Sequence, residues 1–289
     1  MGRWARSKQL AGASWAVLRQ DKELIALPLI SGIASLMVAA TFLVPIFFTS
    51  RTTDAYGNGT SSMGPLQYIL FFGMYGVLAY ITVFFRTALL CGADERMKGG
   101  NPTLSSALSG AGRHAGKILP WVIVSATVSV ILRGIEQRSG LLGRIIIGFV
   151  GMAWTVVTFL VLPILVFEGL GVRDAVKRST QMLKATWGEN LIVNGGIGLI
   201  GFLAMLPAFL LLVVGFASGG AGLDLGFVFT AIAVVWIISV TCWTSAMSSV
   251  FQLALYRYAA DGQAPAAFAS VELGTAFQQK RSVRRRLGF

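Results

Sequence analysis

The residues of this chain best suited to chemistry lie inside long apolar runs. Between 227 and 256, polar side chains recur at steps of four, three and four residues, which places them on one face of a helix. This polar stripe consists of Thr241, Ser245, Ser248 and Gln252. Such groups could line a hydrated path or hydrogen-bond a neighbouring helix. Helix packing is favoured because no charge lies beside the stripe at mid-depth.

Three ionisable side chains fall within the apolar runs, where charges are costly and often functional. They are Arg86, Glu168 and Arg257, the ionisable cluster. All three lie near the same ends of their runs, so Glu168 could pair with either arginine where the helices meet. The alternative is that each side chain extends to the lipid headgroups. Phosphate-binding, nucleophile and metal motifs are absent from the sequence, so we expect no enzyme, cofactor or metal.

The composition requires membrane helices to position these side chains. Of the 289 residues, 55% are hydrophobic and 12% are charged, which is too much apolar surface for one water-soluble core. Lipid offers the backbone no hydrogen bonds, so continuous apolar runs of about 20 residues are predicted to be helices and the chain to be all-α. The six predicted spans are 24–49, 66–91, 118–134, 145–167, 190–216 and 227–256.

A basic, amphipathic segment precedes each pair of spans. Its apolar residues recur at steps of three and four, with Arg and Lys mostly on the other face, as in helices at a membrane surface. The predicted surface helices are 4–20, 102–117 and 172–187. One unit therefore occurs three times, which predicts a single polytopic membrane domain over 1–289 with three transmembrane hairpins in a pseudo-threefold arrangement. The hairpins share one orientation, unlike the inverted repeats of many transporters.

The net charge of +12 is divided unevenly between the two predicted membrane faces. Of 24 Lys and Arg residues, 19 lie on the side of both termini, four lie on the other side, and Arg86 lies within a predicted span. Because positive residues mark the cytoplasmic side, both termini are predicted to be cytoplasmic. The tail, 278–289, suits anionic lipid headgroups but could serve only as a topology signal. Its candidate lipid contacts are Lys280, Arg281, Arg284, Arg285 and Arg286.

Several short stretches resemble a known family. They include Trp15 to Leu24, Leu27-Pro28, Ala153-Trp154, Leu162-Pro163, Glu168-Gly169, Lys177-Arg178-Ser179 and Thr186-Trp187-Gly188. The chain resembles, over nearly its whole length, an uncharacterised family of bacterial six-span integral membrane proteins labelled as a domain of unknown function. It is more distantly similar to the membrane domain attached to some glycerophosphodiester phosphodiesterases. The resemblance implies a bacterial cytoplasmic (inner) membrane but no reaction, because the phosphodiesterase catalytic domain with its metal-binding carboxylates is missing.

The expected function is that of a non-enzymatic membrane protein that organises lipid or a partner protein through its cytoplasmic surface helices and tail. Anionic membrane lipids are the expected partners, a membrane-protein partner is left open, and nucleic acid is not expected. The alternative is a channel or transporter for a small solute. A polar cavity that touches Arg86 and Glu168 would favour transport, whereas a packed, dry centre would favour a scaffold.

Overall fold

The described part of the chain is helical throughout. A computed structural model describes residues 21–49, 64–186, 191–218 and 223–261, and within these ranges every regular element is a helix. The all-α prediction is confirmed there. The predicted surface helix 4–20 and the basic tail 278–289 lie outside the described residues.

Eight helices and one irregular helical segment make up this part. The helices are α1 (Lys22–Thr49), α2 (Pro65–Met97), α3 (Leu104–Arg113), α4 (Ala115–Arg138), α5 (Leu141–Val157), α6 (Val172–Thr186), α7 (Leu191–Ser218) and α8 (Leu223–Asp261). Between α5 and α6, a short turn at Val161–Pro163 leads into a π-helical turn at Ile164–Glu168. We call these two turns the 161–168 segment.

Five stretches of the described residues are long and apolar enough to cross a membrane. They are Glu23–Phe47, Pro65–Met97, Ala115–Arg138, Leu141–Glu168 and Gly226–Asp261. Within α7, the apolar stretch Gly201–Phe216 is shorter. Large apolar side chains face outward, and Leu141, for example, is 78% exposed. Such a surface suits lipid better than water and is consistent with a multi-pass membrane protein.

The long helices pack in antiparallel pairs. An ideal Cβ on Gly92 of α2 would contact Leu24 at the start of α1, whereas one on Gly73 would contact Phe42 further along α1. Residue numbers therefore rise on one helix as they fall on the other. The same holds for α7 and α8, where the contacting pairs are Gly201 with Thr244, Ala204 with Trp236 and Gly215 with Thr230.

The helices α4 and α5 also form a pair, and the backbone after α5 is interrupted. Trp121 of α4 stacks on Trp154 of α5, with ring centroids 6.3 Å apart. The predicted span 145–167 lies within one candidate membrane span, Leu141–Glu168. Its backbone is not one regular α-helix, because α5 ends at Val157 and the chain forms the separate 161–168 segment. Pro163 explains part of this break, since proline has no N–H and its ring disfavours a preceding α-helical turn.

The buried core lies at one end of the bundle, which we call the packed end. It is formed by the last turns of α2 and α8, the start of α1, α3, α6 and the 161–168 segment. Residues 160–166 are all buried, and the segment contacts α2, α4, α6 and α8. The predicted apolar face of α6 is buried too, through Ala175, Met182 and Leu183. The interrupted backbone therefore lies inside protein and not against lipid.

Caps and small residues hold α3 against its neighbours. Thr103 and Ser106 form a reciprocal capping box at its start, and Glu23 of α1 accepts a hydrogen bond from the Leu104 N–H at 2.9 Å. The helix ends at His114, which also begins α4. The surface helix predicted over 102–117 is therefore shorter, and the following helix starts earlier than the predicted span.

We predict that Gly110→Ala destabilises the docking of α3 on α2. An ideal Cβ at Gly110 lies 2.8 Å from Cys91 Cβ, an atom that cannot move without its backbone. The overpacking should cost about 1–3 kcal/mol and outweigh the gain in helix propensity. Gly112→Ala is the matched control, because nothing lies within 4 Å of its Cβ position. A lower midpoint for Gly112→Ala than for Gly110→Ala in thermal unfolding would contradict this packing.

Candidate functional site

The break between α5 and α6 leaves two backbone carbonyls without their helical donors. Pro163 has no N–H to offer the Phe159 carbonyl. Val161 donates to the Thr158 carbonyl at 3.1 Å and so does not serve Val157. Lipid cannot supply the missing donors, and an unsatisfied carbonyl in an apolar environment is costly.

Two side chains from other helices provide these donors. The Gln252 amide of α8 donates from Nε2 to the Phe159 carbonyl. Ser179 of α6 is fully buried and donates from Oγ to the Val157 carbonyl at 2.5 Å. The last member of the polar stripe thus caps the break, which is the helix-packing role favoured from the sequence.

Carboxylates that the sequence reasoning missed connect the helices at the packed end. Asp94 of α2 is bound by Arg257 of α8 through two nitrogens, Nε at 3.0 Å among them, and by Lys98 Nζ at 2.8 Å. Asp21, just before α1, is bound by Arg96 of α2, also through two nitrogens. Asp21 and Asp94 are each only 6% exposed.

The position of these carboxylates in the sequence could have revealed them. Both lie just outside predicted spans, on the side where Lys and Arg are in excess. Such flanking residues are usually assigned to a topology signal. A buried carboxylate needs a partner charge, so an acidic residue next to a span end on the positive side is the pattern that marks an inter-helix ion pair.

The structure does not bring the three members of the ionisable cluster together. Glu168 pairs with Arg178 of α6 at 3.3 Å, and not with Arg86 or Arg257. Arg257 is held by Asp94. Each of these two groups is therefore neutralised by a partner that the sequence reasoning did not assign.

Aromatic rings connect the two ion pairs at the packed end. Phe167 stacks on Tyr256 with ring centroids 5.8 Å apart, and the Arg257 guanidinium carbon lies 5.5 Å from the Phe167 centroid. The Tyr256 hydroxyl donates to Glu168 Oε1 at 3.5 Å, a long hydrogen bond. The end of α8 is thereby joined to the π-helical turn by both rings and charges.

A cavity of about 770 Å³ lies between α1, α2, α7 and α8, and Arg86 forms part of its wall. Glu168 and Arg257 do not line it. Three members of the polar stripe do, so the stripe is divided between the cavity and the cap on the break. The hydroxyl-bearing residues in the wall are Ser31, Ser35, Thr82, Thr241, Thr244, Ser245 and Ser248.

Arg86 and several of these hydroxyls have unused hydrogen-bonding groups. Among the described residues, Arg86 has neither an ion pair nor a side-chain hydrogen bond. Thr82 and Thr244 donate to carbonyls of their own helices, at 2.9 Å to Leu78 and 2.8 Å to Val240. The other five hydroxyls make no such bond within the described part. A guanidinium surrounded by free hydroxyls is suited to binding an anion.

Two other sequence predictions concern metals and lipid. No group of three or more His, Cys, Asp and Glu side chains is placed to hold a metal within the described ranges. Cys91 and Cys242 are half-buried and form no disulfide there. The five basic residues of the tail, from Lys280 to Arg286, lie outside the described residues.

We predict that Gln252→Leu destabilises the folded protein by about 0.5–1.5 kcal/mol, because the hydrogen bond from the Gln252 amide to the Phe159 carbonyl would be lost. The change can be measured as the free energy of unfolding in a detergent-denaturant titration. Ser239→Ala is the control on the same helix, since Ser239 bonds only the Val235 carbonyl of its own turn. Equal stability losses in the two variants would argue against the capping role.

Asp94→Asn should destabilise the packed end by removing the charge that neutralises Arg257. Loss of a partner from a fully buried pair costs about 3–5 kcal/mol, and we expect about 2–3 kcal/mol here because Arg257 is partly exposed. Asp261→Asn is the control, since Asp261 lies 3.7 Å from the same arginine but is largely exposed. If the two variants unfold at the same denaturant concentration, the Asp94 pair does not stabilise the fold.

Comparison with known proteins gives one result. A family model matches residues 66–266, which is more than half of the chain, and it describes a family of unknown function. No curated protein and no solved structure matches the chain significantly.

Proposed function

Because the chain belongs to the family of unknown function DUF6159, which supplies no reaction to transfer, we propose a function from its own residues. The protein is a non-enzymatic, multi-pass membrane protein that organises anionic lipid at one face of the membrane. The apolar helices support the membrane location. The lipid preference rests on exposed, unpaired basic side chains at the packed end.

These side chains, the basic face, are Arg113, Lys117, Arg173 and Lys177. All four are exposed, and none forms an ion pair with a described residue. Lys117 Nζ lies 3.0 Å from the ideal Cβ position of Gly169, so the start of α4 adjoins the start of α6. Beside an anionic bilayer, each such cation gains about 1 kcal/mol.

Neighbouring carboxylates leave this positive charge largely uncompensated. Asp21, Asp94 and Glu168 are each bound by another cation. On α6, Ala175 and Ser179 face the core, which directs the basic side of the helix outward. Asp174 of α6 is exposed beside Arg173, so the packed end presents an excess of cations to its surroundings and not cations alone.

The proposed membrane arrangement has six spans in three hairpins, formed by α1 with α2, α4 with α5 and the 161–168 segment, and α7 with α8. Their antiparallel contacts support it, as do the positions of α3 and α6 before the second and third hairpins. Three similar units imply a pseudo-threefold arrangement. By the distribution of Lys and Arg, the packed end and both termini, with the basic residues of 4–20 and of the tail, are on the cytoplasmic side in a bacterial cell.

The wider set of partners belongs to the same proposal. The resemblance to the membrane domain attached to some glycerophosphodiester phosphodiesterases is compatible with a lipid-facing role. A membrane-protein partner could use the same cytoplasmic surface. Nucleic acid is not proposed, because the positive charge is distributed along span ends.

Transport of a small solute is the second candidate, and the polar cavity is the observation that favours it. The cavity contains Arg86 and most of the polar stripe but does not extend to Glu168 or Arg257, both of which are held in ion pairs. Transport requires solute flux into reconstituted vesicles above that of protein-free vesicles. Its loss in Ser245→Leu would identify the cavity as the route.

We predict that replacing all four residues of the basic face by Gln removes a preference for anionic lipid. In vesicles of phosphatidylglycerol and phosphatidylcholine, spin-labelled lipids should show an up to about fivefold preference of the wild-type protein for the anionic lipid, which corresponds to about 1 kcal/mol. The preference should weaken between low salt and about 0.5 M NaCl, because exposed charges are screened.

The control variant replaces Arg133, Arg138 and Arg144 by Gln. These arginines are also exposed, but they lie at the opposite end of the bundle, around the connection between α4 and α5. The control should keep the lipid preference. An equal loss in both variants would show that net charge, and not the basic face, produces the selectivity.

A further inference from the structure

Arg86, which is unpaired, lies in the wall of the cavity between α1, α2, α7 and α8, and the residue is exposed there. Arg86 precedes the end of α2 at Met97 by three helical turns, or about 16 Å along the axis, and it lies within a candidate membrane span. A charged side chain within a membrane helix is costly, by up to about 2.5–3.5 kcal/mol at the helix centre on insertion scales. Such residues normally face a partner or a hydrated cavity, and Arg86 faces the cavity between α1, α2, α7 and α8.

No described protein group neutralises this arginine. The carboxylate closest to it along α2 is Asp94, two turns further on, and Asp94 is already bound by Arg257 and Lys98. Glu168 is held by Arg178. A ligand that carries negative charge would therefore find the guanidinium free.

The walls of the cavity combine polar and apolar groups. The polar part of the wall includes the free hydroxyls of Ser31, Ser245 and Ser248. The apolar part includes the side chains of Phe85 and Phe202. A volume of about 770 Å³ is within the range of small-molecule sites, about 300–1,000 Å³. This volume is larger than the volume of one inorganic anion, and the apolar walls would not contribute to the binding of such an ion.

An apolar groove adjoins this cavity. It has a volume of about 480 Å³, lies between α1 and α8, and shares Cys242 with the wall of the polar cavity. Its other walls include Ile25, Leu29, Trp236 and Val240. An unpaired cation in one compartment and an apolar groove beside it match a molecule with an anionic head and a hydrocarbon tail.

We propose that the cavity is a binding site for one anionic phospholipid, with its phosphate on Arg86 and an acyl chain in the groove. A guanidinium binds two phosphate oxygens through parallel hydrogen bonds. Serine hydroxyls can donate to the second lone pairs of the same two non-bridging oxygens. The inference goes beyond the basic face, because it concerns a single site within the bundle and does not depend on the surface charges.

Native mass spectrometry of the full-length protein tests the site. Protein in detergent is titrated with equimolar phosphatidylglycerol and phosphatidylcholine, and one phosphatidylglycerol should be retained most tightly. Arg86→Gln should weaken its retention at least about tenfold, since hydrogen bonds to a charged group are lost. Arg133→Gln, which removes an exposed arginine elsewhere, should leave retention unchanged. Retention by Arg86→Gln equal to that of the wild type overturns the proposal.

Two further variants keep the test decisive. Arg86→Lys preserves the charge but cannot form bidentate hydrogen bonds, so it should retain the lipid less well than the wild type. This variant serves as the test if Arg86→Gln does not fold. Ser245→Leu keeps Arg86 but replaces one hydroxyl of the cavity wall by a bulky apolar side chain, so it should also weaken retention of the lipid. Unchanged retention in either variant contradicts the site.

Salt and free anion separate this proposal from the others. The internal lipid should stay bound at about 0.5 M NaCl and in the basic-face variant, whereas the surface preference should not. If the basic-face variant loses the tightly bound lipid and Arg86→Gln keeps it, the lipid is bound at the surface, and the cavity site is overturned. Binding of inorganic phosphate with equal retention of both lipids would identify a small-anion site and overturn the lipid proposal.

Discussion

Lipid cannot hydrogen-bond a peptide carbonyl, and this constraint organises the packed end of the molecule. Pro163 and the break before it remove the helical donors of the Val157 and Phe159 carbonyls, within a stretch that is otherwise apolar. Ser179 and Gln252 each supply a donor to one of these carbonyls. To do so, α6 and α8 must both pack on the 161–168 segment. The deepest core of the protein is consequently built around its least regular backbone.

The charges of the bundle fall into two groups with different consequences. Asp21 and Asp94 are nearly fully buried and bound by arginines from other helices, so they determine which helices meet and in what register. Buried ion pairs add specificity more readily than net stability. Arg86 has no described partner, and the basic face has cations in excess of its carboxylates. The first group joins the helices, whereas the unpaired charges are available to ligands.

This division gives the two proposals a common physical basis. Satisfied groups explain the packing and need no ligand. Unsatisfied cations, one in the wall of the cavity and four on the basic face, are complementary to the phosphate groups that any anionic bilayer presents. The surface and the cavity nevertheless differ in how strongly solvent and salt screen them. A protein with both would attract anionic lipid at its surface and hold one molecule inside.

Sequence reasoning predicted the features that depend on local chemistry. Apolar runs of span length marked the long helices, and the three-and-four spacing marked the face of α6 that contacts the core through Ala175 and Met182. It could not identify the partners of Glu168 or Arg257. Those lie on other helices, and the pairing depends on how the helices stack. Likewise, Asp94 looked like an ordinary flanking residue.

The polar stripe shows which features follow from the sequence and which follow only from the tertiary structure. Its steps of four, three and four placed Gln252 on the same helix face as Ser245, because helical periodicity is a local property. Only the tertiary structure decided that Gln252 caps the break while Ser245 lines a cavity with Arg86. The sequence by itself determined an all-helical, membrane-compatible chain with an uneven distribution of positive charge. Which polar groups are satisfied and which remain free was decided by contacts between distant segments, because hydrogen bonds and ion pairs act only over a few ångströms.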